Sequence, residues 1–280
     1  VLLPAAGDAI LSELQLFGTG GLVPQPRPAA LGGLWRVARA PQVAARGAAL
    51  SRPGYTDAAW LPATVPGTVL ASYYNAGALP DPNFSDNQLA ISDAFFQEDF
   101  WYRTEFTASA AKTGRRRWLH FDGINWKADV WLNGQRLGRI EGAFEGARFD
   151  VTDKLRAGQP NALAVLIHKV ATPGATKEKT FENPDKNGGA LGADNPTFHA
   201  SIGWDWIPTI RGRNTGIWNN VRLTESGVVT VEAPRITSKL GANGAEVTIA
   251  AMVRNHSGTA VSGRLRGSFG EQSFERAVPL

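Results

Sequence analysis

The chain has 280 residues, of which 43% are hydrophobic and 19% charged, a net charge of +4 and no cysteine. That length holds one large domain, or one medium domain plus part of another. The composition excludes disulfides, thiol nucleophiles and Cys-ligated zinc; it offers no broad basic face for nucleic acid and no apolar run near the roughly 20 residues that cross a membrane.

The first residues, Val1-Leu2-Leu3-Pro4-Ala5-Ala6, carry no initiator Met, so the chain is expected to be processed or trimmed. A removed leader would fit export to the periplasm or beyond; a trimmed boundary fits a cytoplasmic protein as well. Asp8 is placed to cap a short amphipathic helix ending near Gly18, with Ile10, Leu11, Leu14 and Leu16 as its apolar positions. The Gly- and Pro-rich stretch from Gly18 to Gly33 reads as a linker, so residues 1–32 are expected to form an arm.

From Leu34 onward strands dominate. Trp35–Arg39 and Phe100–Phe106 alternate apolar with polar residues, and the second is rich in aromatics that favour strands. Arg117–Phe121 and Ala128–Leu132 follow. Asn133-Gly134 is the strongest hairpin signal, because both residues tolerate the positive φ of a type I′ turn; Gln135–Ile140 is then the returning strand. Phe149–Val151, Ala162–Val170 and Ile217–Leu223 continue the pattern. The basic run Arg115-Arg116-Arg117 sits at a strand start and reads as a solvated end. One helix is expected over Thr68–Ala76, with Val69, Leu70, Tyr73 and Tyr74 on one side and Gly77 as its stop. Asn195-Pro196 reads as a second, shorter helix start.

Short strands and frequent turns over residues 33–226 predict an all-β domain, a β-sandwich of jelly-roll type. Its longest loops, Pro80–Glu98 and Ala171–Thr215, are of a length that usually carries function. Past Glu225-Ser226-Gly227 the strands Val228–Leu240, Ala245–Arg254 and Gly263–Phe269 begin another sandwich. An immunoglobulin-like domain needs about seven strands and ~100 residues, so residues 227–280 are expected to be an incomplete one with a loosely packed or uncovered apolar face. The chain is therefore expected to belong to something longer.

The most informative stretch is Gly203-Trp204-Asp205-Trp206-Ile207-Pro208-Thr209-Ile210-Arg211-Gly212-Arg213-Asn214-Thr215-Gly216-Ile217-Trp218. Aromatic faces stack on the C–H faces of sugar rings, while carboxylates, guanidinium groups and amides pair with their hydroxyls. Asp205, Trp204, Trp206, Arg211, Arg213 and Asn214 are the candidate substrate-binding residues. The competing reading is a Trp-rich core patch in which Asp205 pairs with an arginine, since such charges are rarely buried unless paired.

Other positions are weaker. Asp81 and Asn83 serve either a pocket or a turn, and Asn195 either a ligand or a helix cap. His120, His168, His199 and His256 are scattered without metal-site spacing; His199, six residues before Asp205, is the one that approaches the candidate pocket in sequence. Gly18-Thr19-Gly20-Gly21 lacks the third glycine, the preceding strand and the Lys-Ser/Thr of a nucleotide loop, so no cofactor is expected.

Several separated motifs together resemble glycoside hydrolase family 2. They are Trp60-Leu61-Pro62-Ala63-Thr64-Val65-Pro66-Gly67-Thr68-Val69-Leu70; Pro80-Asp81-Pro82-Asn83-Phe84 with Phe100-Trp101-Tyr102-Arg103; and Phe121-Asp122-Gly123-Ile124-Asn125-Trp126-Lys127-Ala128-Asp129-Val130-Trp131-Leu132-Asn133-Gly134. Gly203-Trp204-Asp205-Trp206 with Asn214-Thr215-Gly216-Ile217-Trp218 closes the series. The resemblance runs from Leu34 to Leu223 and implies a galactose-binding-like jelly roll, an immunoglobulin-like sandwich and a catalytic (β/α)₈ barrel, in that order. The Gly-Trp-Asp-Trp form is similar to the exo-β-glucosaminidase and β-mannosidase branch; Ile207–Arg213 departs from the mannosidase-like pattern.

The resemblance implies an exo-acting retaining β-glycosidase whose two catalytic glutamates lie in the barrel. No barrel fits here, so no catalytic residue is nominated, and residues 1–280 alone are expected to be inactive. It also implies that the Asp205 position helps bind the non-reducing terminal sugar. The implied partners are a glycoside or oligosaccharide and the barrel of the same polypeptide. Two other classes stay open: a free-standing carbohydrate-binding module, and a structural sandwich whose Trp-rich loop meets another protein.

Overall fold

A computed structural model describes residues 2–3, 13–17, 29–31, 33–176, 190–191, 211–242, 244–269 and 272–280. Its contacts divide the chain into two units: residues 28–111 with 117–224, and residues 1–27 with 112–116 and 225–280. Among the described residues nearly all regular structure is strand.

The first unit is a β-sandwich. One sheet has six strands in the order Leu61–Pro62, Arg36–Arg39, Phe100–Thr107, Pro160–Ile167, Lys127–Leu132, Gln135–Glu141, every neighbouring pair antiparallel. The other has four, ordered Ala147–Asp150, Arg116–Phe121, Val221–Ser226, Ala29–Ala30. Side chains alternate across a strand, so the register settles which residues share a face. Val37, Tyr102, Val165 and Val130 lie in one row across four strands. All four are fully buried in the main core, with Leu119, Phe121 and Val221 of the second sheet.

The opposite face of the large sheet is covered as well. Its row Ala38, Trp101, Leu166 packs with Val43, Leu50 and Trp60 in a second cluster. The segment between Ala40 and Trp60 supplies that cover, and one arginine fastens it. Arg103 donates from Nε to Leu50 O at 2.8 Å and from Nη2 to Arg52 O at 3.0 Å, and pairs with Asp57 and Glu105. Its cross-strand neighbour Arg36 reaches Asp57 at 3.5 Å. A guanidinium that is 3% exposed is tolerable here because its donors meet carbonyls or carboxylates. Double-sided burial explains why Phe100–Thr104 is continuously buried rather than alternating with solvent.

Asn133 and Gly134 have φ of 50° and 87° and join Lys127–Leu132 to Gln135–Glu141, as the hairpin signal predicts. Asn133 Nδ2 also donates to Lys154 O and Asn161 Oδ1, so the turn is tied to its neighbours as well as closed. The helix forms over Val69–Asn75, with the Thr68 hydroxyl accepting from Ala71 N at 3.0 Å. Tyr74, expected on its inner side, is instead 39% exposed.

Three further readings are corrected. The last strand of this region starts at Val221, and Ile217–Asn220 is irregular. The Pro80–Glu98 loop holds two short helical turns, Asn87–Ala90 and Ala94–Phe96. Arg117 is not solvated: it is 5% exposed, and its Nη1 donates to Ser109 O at 2.6 Å.

The second unit contains two three-stranded antiparallel sheets. One is ordered Leu2–Leu3, Gly244–Asn255, Val229–Gly241 and the other Gln272–Pro279, Ser262–Phe269, Glu13–Phe17. The helix expected to end near Gly18 is therefore a strand over Glu13–Phe17, and part of the expected arm pairs with strands from the other end of the sequence. Leu14 and Leu16 are two apart, a spacing that serves a strand face as well as a helix stripe, and pairing with Gly267 and Leu265 decides it. Gln272–Pro279 is a strand that the sequence reading did not assign.

Candidate functional site

The described part of the aromatic–polar stretch begins at Arg211. Trp204, Asp205 and Trp206 lie outside the described residues, as do Asn195 and His199. Arg211–Asn214 is a turn in which Arg213 and Asn214 have φ of 48° and 54°. Two consecutive side-chain-bearing residues in the left-handed region are unusual and need surrounding structure to hold them.

That structure centres on Arg213, which is 2% exposed. Its Nη1 and Nη2 donate to Asp93 Oδ1 and Oδ2 at 2.9 and 3.1 Å, a two-pronged pair. Nε donates to Pro173 O at 2.8 Å, and Nη1 also reaches Arg211 O at 3.3 Å. The backbone is fixed too: Asn125, 2% exposed, donates from Nδ2 to Arg213 O at 2.9 Å. Arg211 Nε donates to Gln88 O at 3.0 Å. The run 211–213 is thereby fastened to the 87–96 region, to Pro173 and to the strand entry at Asn125.

From Thr215 the chain is stitched into the sandwich. Val69 N donates to Thr215 O and Gly67 N to Ile217 O, both at 2.8 Å, while Asn125 N donates to Gly216 O at 2.9 Å. Gly216 has φ 145°, and a Cβ there would lie 2.8 Å from Thr68 Cα, so no larger residue fits. Trp218 donates from Nε1 to Ala143 O at 3.0 Å, meets Phe144 edge-on at 6.2 Å between centroids, and keeps 36% exposure. Gly123 makes room for its indole, which a Cβ would approach to 2.5 Å.

Asp81 accepts from Asn83 N at 2.9 Å in a local side-chain turn, while Asn83 is exposed. His120 is held well below its usual range, at about 4, by burial and then by the Arg222 and Arg148 charges; its Nε2 lies 2.7 Å from Thr224 Oγ1. His168 is the opposite case. It bridges Asp129 at 2.8 Å and Asp99 at 3.4 Å, and its pKa is raised, chiefly by the hydrogen bond to Asp99. Among the described residues no group of three or more His, Asp or Glu is placed to hold a metal ion. No described helix is long and apolar enough to cross a membrane.

Asp93, Gln88, Pro173 and Asn125 were not singled out from the sequence. Asp93 lies 120 residues before Arg213, and nothing in either neighbourhood announces the partner. The one local hint is Asn214, a residue type that tolerates left-handed backbone.

Residues 38–219 match the family model described as glycosyl hydrolase 2 galactose-binding domain-like. The chain belongs to this family. The match spans the six-stranded sheet apart from Arg36 and Val37, its covering segment and the whole Arg211–Trp218 run. An exo-β-D-glucosaminidase of Streptomyces avermitilis is 33% identical over 83% of this chain and 24% of its own length. A mannosylglycoprotein endo-β-mannosidase of Lilium longiflorum is 33% identical over 73% of this chain and 22% of its length. The crystal structure of the Amycolatopsis orientalis exo-chitosanase CsxA superposes with a TM-score of 0.69 at 27% identity, covering 91% of this chain and 27% of that one. The chain thus spans about a quarter of the length of the relatives it matches. The sandwich of this glycosyl hydrolase 2 domain agrees with the all-β class expected from its strand pattern.

Proposed function

We propose that this chain is the N-terminal portion of an exo-acting β-glycoside hydrolase. It helps bind the non-reducing terminal sugar and supports a catalytic (β/α)₈ barrel elsewhere in the polypeptide. The observation that carries the reading is the 33% identity to an exo-β-D-glucosaminidase over 83% of this chain but only 24% of that enzyme. The catalytic barrel of the proposal lies in the part of such a polypeptide that this chain does not cover. In the proposal Asp205 accepts from sugar hydroxyls, or faces the ammonium of an amino sugar, and one of the adjacent residues Trp204 and Trp206 supplies an aromatic face while the other packs inward. Asn214 and Arg211 are second-rank contacts. Arg213 belongs to the scaffold behind them, because its guanidinium is buried on Asp93 and Pro173. The lack of cysteine is compatible with an exported enzyme and with a cytoplasmic one alike.

A β-linked glucosaminide is the first substrate to test. The full-length polypeptide should hydrolyse p-nitrophenyl β-D-glucosaminide faster than the β-mannoside, and residues 1–280 alone should hydrolyse neither. Asp205→Ala in the full-length protein should lower kcat/KM by about 100-fold, the scale of losing a charged hydrogen-bond partner of the sugar. Equal rates for wild type and variant would refute the sugar contact. Turnover by residues 1–280 would refute the division of labour.

A further inference from the structure

We infer that Trp218 and Phe144 form an aromatic platform that binds a further sugar unit of a β-linked saccharide, beyond the terminal sugar proposed to contact Asp205. The choice of saccharide rests on that proposed function. The platform itself rests on residues 122–126, 142–146 and 216–220 of the first unit.

The Trp218 indole is held on two sides. Its Nε1 donates to Ala143 O at 3.0 Å, and it lies against Gly123, where a Cβ would come within 2.5 Å of the ring. With its one polar group satisfied inside the protein, the indole offers a ligand its carbon surface, and the residue keeps 36% exposure. Phe144, 57% exposed, meets it at 66° between ring planes and 6.2 Å between centroids, so the two rings form a corner. Backbone bonds lace the supports together. Asn219 N donates to Gly123 O at 3.2 Å, Asp122 N to Asn220 O at 2.9 Å, Asn125 N to Gly216 O at 2.9 Å and Gly142 N to Trp126 O at 2.8 Å. Rings fixed in this way lose little freedom when a ligand binds.

Size and surroundings favour a sugar over a protein as the occupant. An aromatic side chain buries about 150–250 Å² when fully covered, so two partly exposed ones fall well short of the ~800 Å² per partner of a stable protein interface. The neighbouring residues are polar: Glu145 and Asn220 are exposed, and Asn219 Oδ1 accepts from Asn220 N at 2.8 Å. A pyranose presents the matching mixture, apolar C–H faces edged by hydroxyls. The segment between the two supports adds an independent sign. Asn125 Oδ1 and Trp126 Nε1 are buried and have no hydrogen-bond partner among the described residues. Buried polar groups are nearly always paired, and an open acceptor beside an open donor suits a hydroxyl, which both donates and accepts.

The test uses the full-length polypeptide and two probes, a β-linked glucosamine hexasaccharide and p-nitrophenyl β-D-glucosaminide, which carries the terminal sugar alone. Phe144→Ala and Phe144→Leu are each expected to raise KM for the hexasaccharide about fivefold, the scale of losing one stacked ring, while Phe144→Tyr stays within about twofold of wild type. KM for the nitrophenyl glycoside should stay within about twofold in all three. Trp218→Leu should give the same split, with thermal melts reporting any loss of fold; Phe144 is exposed enough for its variants to decide the matter alone. If Phe144→Leu binds the hexasaccharide as wild type does, the patch is merely apolar and the platform is refuted. Equal losses on both probes would place the rings on the terminal sugar and refute a further unit. A wild type that hydrolyses neither probe overturns the proposed function and not the platform; calorimetry with the uncleaved hexasaccharide then reads the same variants, and unchanged affinity in Phe144→Ala overturns it.

Discussion

The two units of this chain use strands in opposite ways. In residues 28–111 and 117–224 the large sheet is buried on both faces, by the main core on one side and by Val43, Leu50 and Trp60 on the other. In residues 225–280 the long strands Val229–Gly241 and Gly244–Asn255 pair in continuous register apart from one irregularity between Glu232 and Arg235. Yet in residues 225–242, 244–268 and 273–280 no apolar side chain is buried: Ile236, Met252 and Leu240 are 40%, 53% and 76% exposed. Hydrogen-bonded ladders are thus equally regular in both units, while every described buried apolar side chain lies in the first. Since most folding free energy comes from apolar burial and a hydrogen bond adds little net, the first unit should hold nearly all the stability.

One substitution placed in each unit measures that difference. Leu163 is fully buried in the main core. Leu163→Ala should destabilise the first unit by about 2–5 kcal/mol, the usual cost of a core cavity. All nine tryptophans fall between residues 35 and 218, so tryptophan fluorescence during urea unfolding reports on that unit. A loss below about 1 kcal/mol would break the comparison at its stronger end.

Where the sequence reading succeeded, the signal was local. Asn133-Gly134 fixes its own turn, and Thr68 caps its own helix through the hydroxyl bond to Ala71 N. Most longer strands of the sandwich were visible because their apolar and aromatic residues alternate or run together locally, whereas the two-residue strands Ala29–Ala30 and Leu61–Pro62 carry no such signal and were not assigned. The candidate site was legible only as a composition: sugar-binding residue types crowded into one stretch. What could not be read was pairing at a distance. Arg103 looks like the polar member of an alternating strand, and it is buried because Asp57 and the Leu50 carbonyl come from a covering segment. Arg213 looks like a sugar ligand, and it is a buried strut because Asp93 arrives from 120 residues away. The Glu13–Phe17 strand was missed for a related reason, since its partner Ser262–Phe269 lies near the other end of the sequence.

A pH titration sharpens the comparison by a smaller amount, because the two shifted histidines of the first unit act in opposite senses. His168 has a raised pKa, from its bond to Asp99 and then to Asp129. Its stabilisation is complete below the ordinary histidine value of about 6.5 and is lost as pH rises through the folded pKa. Asp99 and Asp129 have lowered pKa values. Burial alone would raise them, and it is outweighed for Asp99 by His168 and the Lys169 amide, and for Asp129 by Arg136 and His168. Their share is present above about 4 and disappears in acid, so the cluster contributes most between about 4 and 6.5. His120, held near 4, resists protonation and removes stability as pH falls from about 6.5 toward 4. In His168→Gln the decline on raising pH above 6.5 should vanish, while the acid-side decline from His120 remains. An unchanged alkaline limb in the variant would show that His168 does not bridge the two carboxylates.

The smallest effect is expected at the weaker end. Leu240 is 76% exposed and stands opposite Ala245 near the Gly241–Gly244 end of its hairpin. The substitution that opens a cavity at Leu163 removes little at Leu240, because a side chain that is already wet has no burial to lose. Leu240→Ala should therefore change the unfolding free energy by less than about 0.5 kcal/mol, with far-UV circular dichroism following the strands of the second unit that tryptophan fluorescence does not reach. A loss approaching that of Leu163→Ala would mean that Leu240 is covered in solution. The strands of residues 225–280 would then possess a core, and the contrast between the two units would fail.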